Sequence, residues 1–119
     1  FSEFLPLLTN THVLLNKSQK TRYHAMCVLS GNFSCMLWQK LFNTLESEFH
    51  LPKEIAHAYL QRQMQNLIEN PDDALTGPLV RGDVITINKH LQSLETDPYG
   101  QVYASFIDCF EKMKAKEVA

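Results

Sequence analysis

From Ser18 to His50 the sequence contains no proline and repeats its apolar residues at helical intervals: Tyr23, Cys27, Val28, Cys35, Trp38, Phe42, Leu45 and Phe49. At about 100° per residue, all but Tyr23 lie within roughly 60° of the direction of His24, and Tyr23 flanks them. This predicts one long helix over about 18–50, loosened at Gly31-Asn32. At about 1.5 Å per residue it would be roughly 45 Å long. A chain of 119 residues holds about one domain, so a rod of this length is expected to be the spine of a helical bundle.

Proline and capping residues divide the remainder. Leu51-Pro52 ends the spine, and Pro52 suits the first turn of a helix over about 53–69, with Ala56, Leu60, Met64, Leu67 and Ile68 as its buried face. Asn70-Pro71 breaks the chain. Residues 71–82 are rich in breakers and read as loop. Asp83 caps a helix to about Leu94 with Val84, Ile87 and Leu91 as its apolar row. Asp97-Pro98 opens the last helix, buried through Val102, Phe106, Phe110 and Met113, and EKMKAKEVA reads as a frayed, charged tail. Ahead of the spine, residues 2–9 have helical spacing, with Ser2 as N-cap. HVLL at 12–15 is a strand-like piece whose partners would lie outside the chain, since one strand alone is not stable. The fold class is therefore all-α.

Charge and cysteines narrow the function. The net charge of -2 argues against a broad electrostatic grip on nucleic acid, which needs a basic patch. No apolar run approaches the ~20 residues of a membrane span. The first residues, FSEFLPLL, lack the basic flank and small-residue cleavage site of a signal peptide, so none is expected. Three cysteines, Cys27, Cys35 and Cys109, with no CxxC pair read as reduced thiols of a cytoplasmic protein. The histidines show no HxxxH or HExxH spacing, so no metal site is expected. There is also no GxGxxG and no P-loop, so this chain alone has no dinucleotide site.

Two stretches carry candidate chemistry. In YHAMCVLSGN at 23–32, His24 begins the apolar stripe, Gly31 lies about 20° from it, and Asn32 flanks it at about 80°. Histidine exchanges protons near neutral pH, and asparagine orients a carbonyl or hydroxyl. The two residues are two turns apart and would flank an elongated ligand. The same residues also suit a hydrogen-bonded core histidine with a glycine for helix packing. In ALTGPLVRGD at 74–83, turn amides and Arg81 suit an anion, while the plain alternative is a two-turn connector with a helix cap. The Arg-Gly-Asp triplet is too short to signal adhesion.

Together, K-x-x-Y-H-A at 20–25, S-G-N at 30–32, A-L-T-G-P-L-x-R-G-D at 74–83 and N-K-H-L at 88–91 resemble a known family. It is the α-helical C-terminal domain, of unknown function, of bacterial Rossmann-like oxidoreductases, similar to the 6-phosphogluconate dehydrogenase C-terminal-like superfamily. The resemblance implies that residues 1–16 are a remnant of, or linker from, a missing nucleotide-binding domain, and that 17–119 are the helical domain. Phe1 would then mark a truncation or a proteolytic end. It further implies a substrate-binding and dimerisation domain of an NAD(P)-dependent oxidoreductase acting on a small hydroxy- or keto-compound. NAD or NADP would be bound by the absent domain, and this chain alone would be inactive. The partners implied are the N-terminal Rossmann domain, a second copy in a homodimer, and the small-molecule substrate.

In ketopantoate reductase, one relative in that superfamily, polar residues stand at i, i+4 and i+8 of the first long helix, beginning with a lysine. Here His24 takes the lysine's place, Val28 the middle and Asn32 the third. His24 is then the expected catalytic proton donor or acceptor, with Asn32, Thr76 and Arg81 as substrate contacts. Valine in the middle orients nothing, which keeps a second expectation open: a non-enzymatic helical dimerisation and interaction module.

Overall fold

The computed structural model describes residues 15–118, with side chains through Glu117. The expected N-terminal helix at 2–9 lies outside the described residues, as does all of the strand-like 12–15 except Leu15. Among the described residues the protein is all-α, with no strand. It comprises α1 (Lys17–Cys27), a π-helical turn (Val28–Asn32), α2 (Phe33–Ser47), a 3-10 turn (Lys53–Ala56), α3 (His57–Glu69), a second 3-10 turn (Pro71–Asp73), α4 (Pro78–Arg81), α5 (Val84–Ser93) and α6 (Tyr99–Val118). Two compact units meet in sequence inside α3, at Gln61–Arg62.

In the first unit, α1 is started by a reciprocal cap. The Asn16 side chain accepts from the amide of Gln19 at 2.9 Å, and the Gln19 side chain accepts from the amide of Asn16 at 3.0 Å. That pairing satisfies two amides that a helix start leaves without partners. The expected spine is present, but not as one regular helix. At Val28–Asn32 it widens, and the amide of Phe33 bonds to the carbonyl of Val28, five residues back. A turn of this kind takes up one residue more than an α-turn, so everything after it is retarded by about 100°. The single apolar stripe read from the sequence is therefore two faces. Trp38, Phe42 and Leu45 share one of them. Trp38 meets Tyr59 at 5.5 Å and Phe42 meets His57 at 6.1 Å, both edge to face. Leu45 and Ala56 are buried there.

Cys35 and Phe49, expected on the buried stripe, are exposed. Cys35 lies a turn before the first ring contact with α3. Phe49 lies past the end of α2 at Ser47, in the bend before His50, which takes φ 55°.

In the second unit, residues 78–81, expected to be loop, form the short helix α4. Pro78 supplies its first position. Its end is a two-bond closure in which Gly82 at φ 68° donates to Leu79 and Asp83 donates to Pro78. Only a residue tolerant of a left-handed backbone makes this turn without strain.

Asp83 caps α5 as the sequence predicts, accepting from the Thr86 amide at 3.1 Å and the Thr86 hydroxyl at 2.7 Å. Those bonds, with a smaller attraction from Arg81, hold its carboxyl below the ordinary 3.8. A carboxyl depressed on folding contributes stability that is fully present above 3.8 and fades as pH falls through the lower folded value. Thermal melts between about pH 5 and pH 2 should show a steeper acid loss for the wild type than for Asp83→Asn, which keeps an acceptor oxygen without the charge. Equal slopes would deny the carboxylate this role.

Other expectations are corrected. Met64, Leu67 and Ile68 on α3, Val84 on α5, and Val102, Phe106 and Met113 on α6 are exposed, with Ile68 at 77%. Periodicity marks a face but does not supply the surface that covers it. The charged tail is not frayed within the described residues, since α6 continues to Val118. It carries strong helix formers, an Asp108–Lys112 pair at 3.0 Å, and Lys114 over the Phe110 ring at 5.7 Å.

Candidate functional site

The first unit holds His24 and Asn32. His24 is half-buried in the last turn of α1, and Asn32 is exposed at the end of the π turn. On an unbroken α-helix Asn32 would sit about 80° around from His24. The extra residue taken up by the wide turn swings it to about 20° on the other side, close to the line of His24. The imidazole and the carboxamide thus share one side of the rod, roughly two turns apart.

In and just after this turn two serine hydroxyls donate to backbone carbonyls, Ser30 to Met26 at 2.8 Å and Ser34, at the start of α2, to Gly31 at 3.0 Å. A Cβ at Gly31 would meet nothing within 4 Å, so the backbone there is open to close approach by a ligand. Beside His24, the Tyr23 hydroxyl hydrogen-bonds the Cys27 thiol one turn on. This bond and a lesser desolvation raise Tyr23 above the usual phenol value of 10.0. The sequence reading missed this pair because a tyrosine and a cysteine four apart on an apolar stripe resemble packing.

The second unit holds Thr76 and Arg81. Thr76 lines a cavity of about 270 Å³ with Asn66, Glu69, Asn70, Asp73 and Ala74. Asn70 donates to Asp73 at 3.1 Å and Gln65 to Glu69 at 2.6 Å. Two carboxylates, two amides and a hydroxyl suit hydroxyl or ammonium groups better than an anion. Its other residues had no motif to mark them. Arg81 does not line it. The guanidinium stands 3.7 Å from the Asp83 carboxylate and is 61% exposed, beside the cap of α5. In T-G-P-L-V-R-G-D, Gly77 at φ 102°, Pro78, Gly82 and Asp83 all have local backbone duties.

No described strand leads through a glycine-rich turn into a helix, so the phosphates of a dinucleotide have no cradle of that kind among these residues. No group of three or more histidine, cysteine or acidic side chains converges among them either. No described helix is long and apolar enough to cross a membrane.

Residues 2–108 match a family model described as a domain of unknown function, DUF2520. The chain belongs to the DUF2520 family. No curated protein matches it significantly. Among solved structures, this DUF2520 chain is similar to a protein from Bacteroides fragilis named "putative NADP oxidoreductase", with a TM-score of 0.70 and 23% identity. The likeness covers 82% of the DUF2520 chain but only 38% of the Bacteroides fragilis protein. At that identity it is a likeness of fold, and it agrees with the helical architecture expected of the family.

Proposed function

We propose that this DUF2520 chain is the substrate-binding and dimerisation domain of an NAD(P)-dependent oxidoreductase acting on a small hydroxy- or keto-compound. Residues 17–119 are the domain and residues 1–16 the link to a nucleotide-binding partner domain. The observation that carries this reading is the fold likeness, which spans 82% of this chain but only 38% of a protein named for NADP. Three reduced cysteines, two of them exposed, support a cytoplasmic setting.

In this reading the dinucleotide, held by the other domain, supplies the hydride. This chain supplies the polar groups around the substrate. His24 donates a proton to the substrate oxygen in reduction and accepts it in oxidation. Asn32, on the same side of the rod, orients the substrate's far end through its amide. Within the second unit, Thr76 offers a hydroxyl from its own cavity and Arg81 a guanidinium beside Asp83.

The test uses the longer protein that carries the nucleotide-binding domain. Titration with NADPH should show saturable binding, and a screen of small keto acids should find one that oxidises the bound cofactor. The 119-residue chain alone should do neither. A longer protein that binds no nicotinamide cofactor ends the proposal.

A second reading is a helical dimerisation and interaction module without chemistry. It is favoured by the exposed Met26, Leu29, Phe33, Met36 and Leu37, between 38% and 54% accessible along the rod, and by Val28 in the middle of the candidate site. Trp38 and Phe42 are not part of that surface, since both are half-buried against the start of α3. Tight cofactor binding with no turnover on any keto acid would select this reading.

A further inference from the structure

Helix α6 carries two apolar stripes, one of which meets α5. On that one, Tyr103, Ile107 and Phe110 are half-buried. The Tyr103 hydroxyl lies 2.8 Å from Nδ1 of His90 on α5, and the two rings meet edge to face. At about 100° per residue the three side chains span about 60° of the helix. Val102, Phe106, Cys109 and Met113 span another 60° or so, centred roughly 100° around from the first stripe. These four are exposed, Phe106 at 55% and Met113 at 58%. Their spacing is four, three and four residues. That alternation makes a narrow seam facing a single second helix, where a helix laid on a globular core shows a wider face. Tyr99, three residues before Val102, begins the series at the first position of α6. Lys116, three residues after Met113, ends it.

The flanking charges select what covers the seam. In heptad terms Phe106 and Met113 are a positions, and Val102 and Cys109 are d positions. Lys112 then stands at g and Glu117, five residues on, at e. Between parallel helices a g residue of one reaches the e residue of the following heptad on the other. A second copy running parallel therefore sets Lys112 against Glu117 twice, once in each direction, and stacks Phe106, Cys109 and Met113 on their own counterparts. Run antiparallel with the apolar rows matched, the two helices bring Lys112 level with Tyr103, and no such pair forms. Both charges are within reach. Lys112 is 77% exposed even while it pairs with Asp108 at 3.0 Å, and Glu117 is exposed, two turns beyond Phe110. We propose that α6 is a homodimer seam in which two copies pair this helix in parallel through Val102, Phe106, Cys109 and Met113, with a Lys112–Glu117 ion pair on each side. This deepens the dimerisation part of the reading above by naming its surface, and it uses none of the redox part. Two heptads bury a small area, so the association is weak and concentration-dependent.

The test is sedimentation equilibrium on the 119-residue chain under reducing conditions, from about 10 µM to about 1 mM, a range that brackets weak pairing. The wild type should pass from monomer to dimer. Phe106→Glu should weaken the dimer at least tenfold, since it puts two charges into the centre of the contact. Phe33→Glu, on the rod in the other unit, should leave it within about twofold. Glu117→Lys should weaken it about threefold, and adding Lys112→Glu should restore it, because the swap rebuilds both ion pairs. Direction is read separately. In a Cys35→Ser background, mild oxidation with diamide should give a covalent dimer that Cys109→Ser does not form, since parallel helices bring like d positions together. A dimer that survives Phe106→Glu and is lost in Phe33→Glu would overturn the seam while leaving the dimerisation reading in place. A chain that stays monomeric throughout, or a dimer that Cys109 cannot cross-link, would overturn it as well. Should Phe106→Glu fail to fold, by the helical circular dichroism signal, Met113→Glu and the charge swap decide.

Discussion

Replacing His24 by alanine in the longer, cofactor-binding protein should lower kcat by about a hundredfold or more while leaving the affinity for NADPH within about twofold. A positioned proton donor contributes roughly 10²–10⁴ to such a reaction. The half-buried imidazole on α1 is the group proposed for that task. Asn32→Ala should act chiefly through KM, because an orienting amide contributes about one hydrogen bond to binding. Unchanged turnover in His24→Ala would remove the catalytic role while leaving the fold assignment untouched.

The second large effect is structural and needs no ligand. A Cβ built at Gly100 falls 2.5 Å from the carbonyl oxygen of Leu94 and 3.3 Å from its carbonyl carbon. Neither neighbour is the end of a flexible side chain. The Leu94 carbonyl already accepts from the Asp97 amide at 3.0 Å, and the Gly100 amide donates to Asp97 at 2.9 Å. The link between α5 and α6 is thus closed on both sides of the clash. Overpacking of this kind costs about 3 kcal/mol, and the helical preference of alanine over glycine returns about 1 kcal/mol. Gly100→Ala should therefore lose about 2 kcal/mol, a fall in Tm of roughly 10 °C for a domain of this size. Gly31→Ala is the matched control. It lies inside a helical segment with nothing within 4 Å of the added methyl, so it should be neutral or stabilising by up to about 1 kcal/mol. Equal melting of the two variants would refute the steric account.

Much of the helical order was legible because the signals were local. Asp83 followed by Thr86 is a cap whatever surrounds it. Pro52, Pro71 and Pro98 interrupt the helical pattern regardless of packing, because the ring removes a donor and restricts the residue before it. The resemblance of T-G-P-L-V-R-G-D to a family rested on the same kind of signal, since the backbone at Gly77 and Gly82 adopts conformations open to few other residues. What stayed hidden was not local. Ile68 and Phe106 sit on well-formed apolar faces and are nonetheless exposed. The wide turn at Val28–Asn32 escaped because the glycine there suggested loosening without a direction. A wheel drawn at constant angle then carried its error into every residue after it. The cavity around Thr76 escaped because its walls come from the end of α3, a 3-10 turn and a loop, and no spacing rule joins them.

The wide turn also gives the rod a tolerance that a regular helix lacks. It stores one residue of slack between two stretches that keep separate alignments. A length change of one residue inside it alters only the local winding, so the sequences on either side are free to drift in spacing without disturbing what each of them touches.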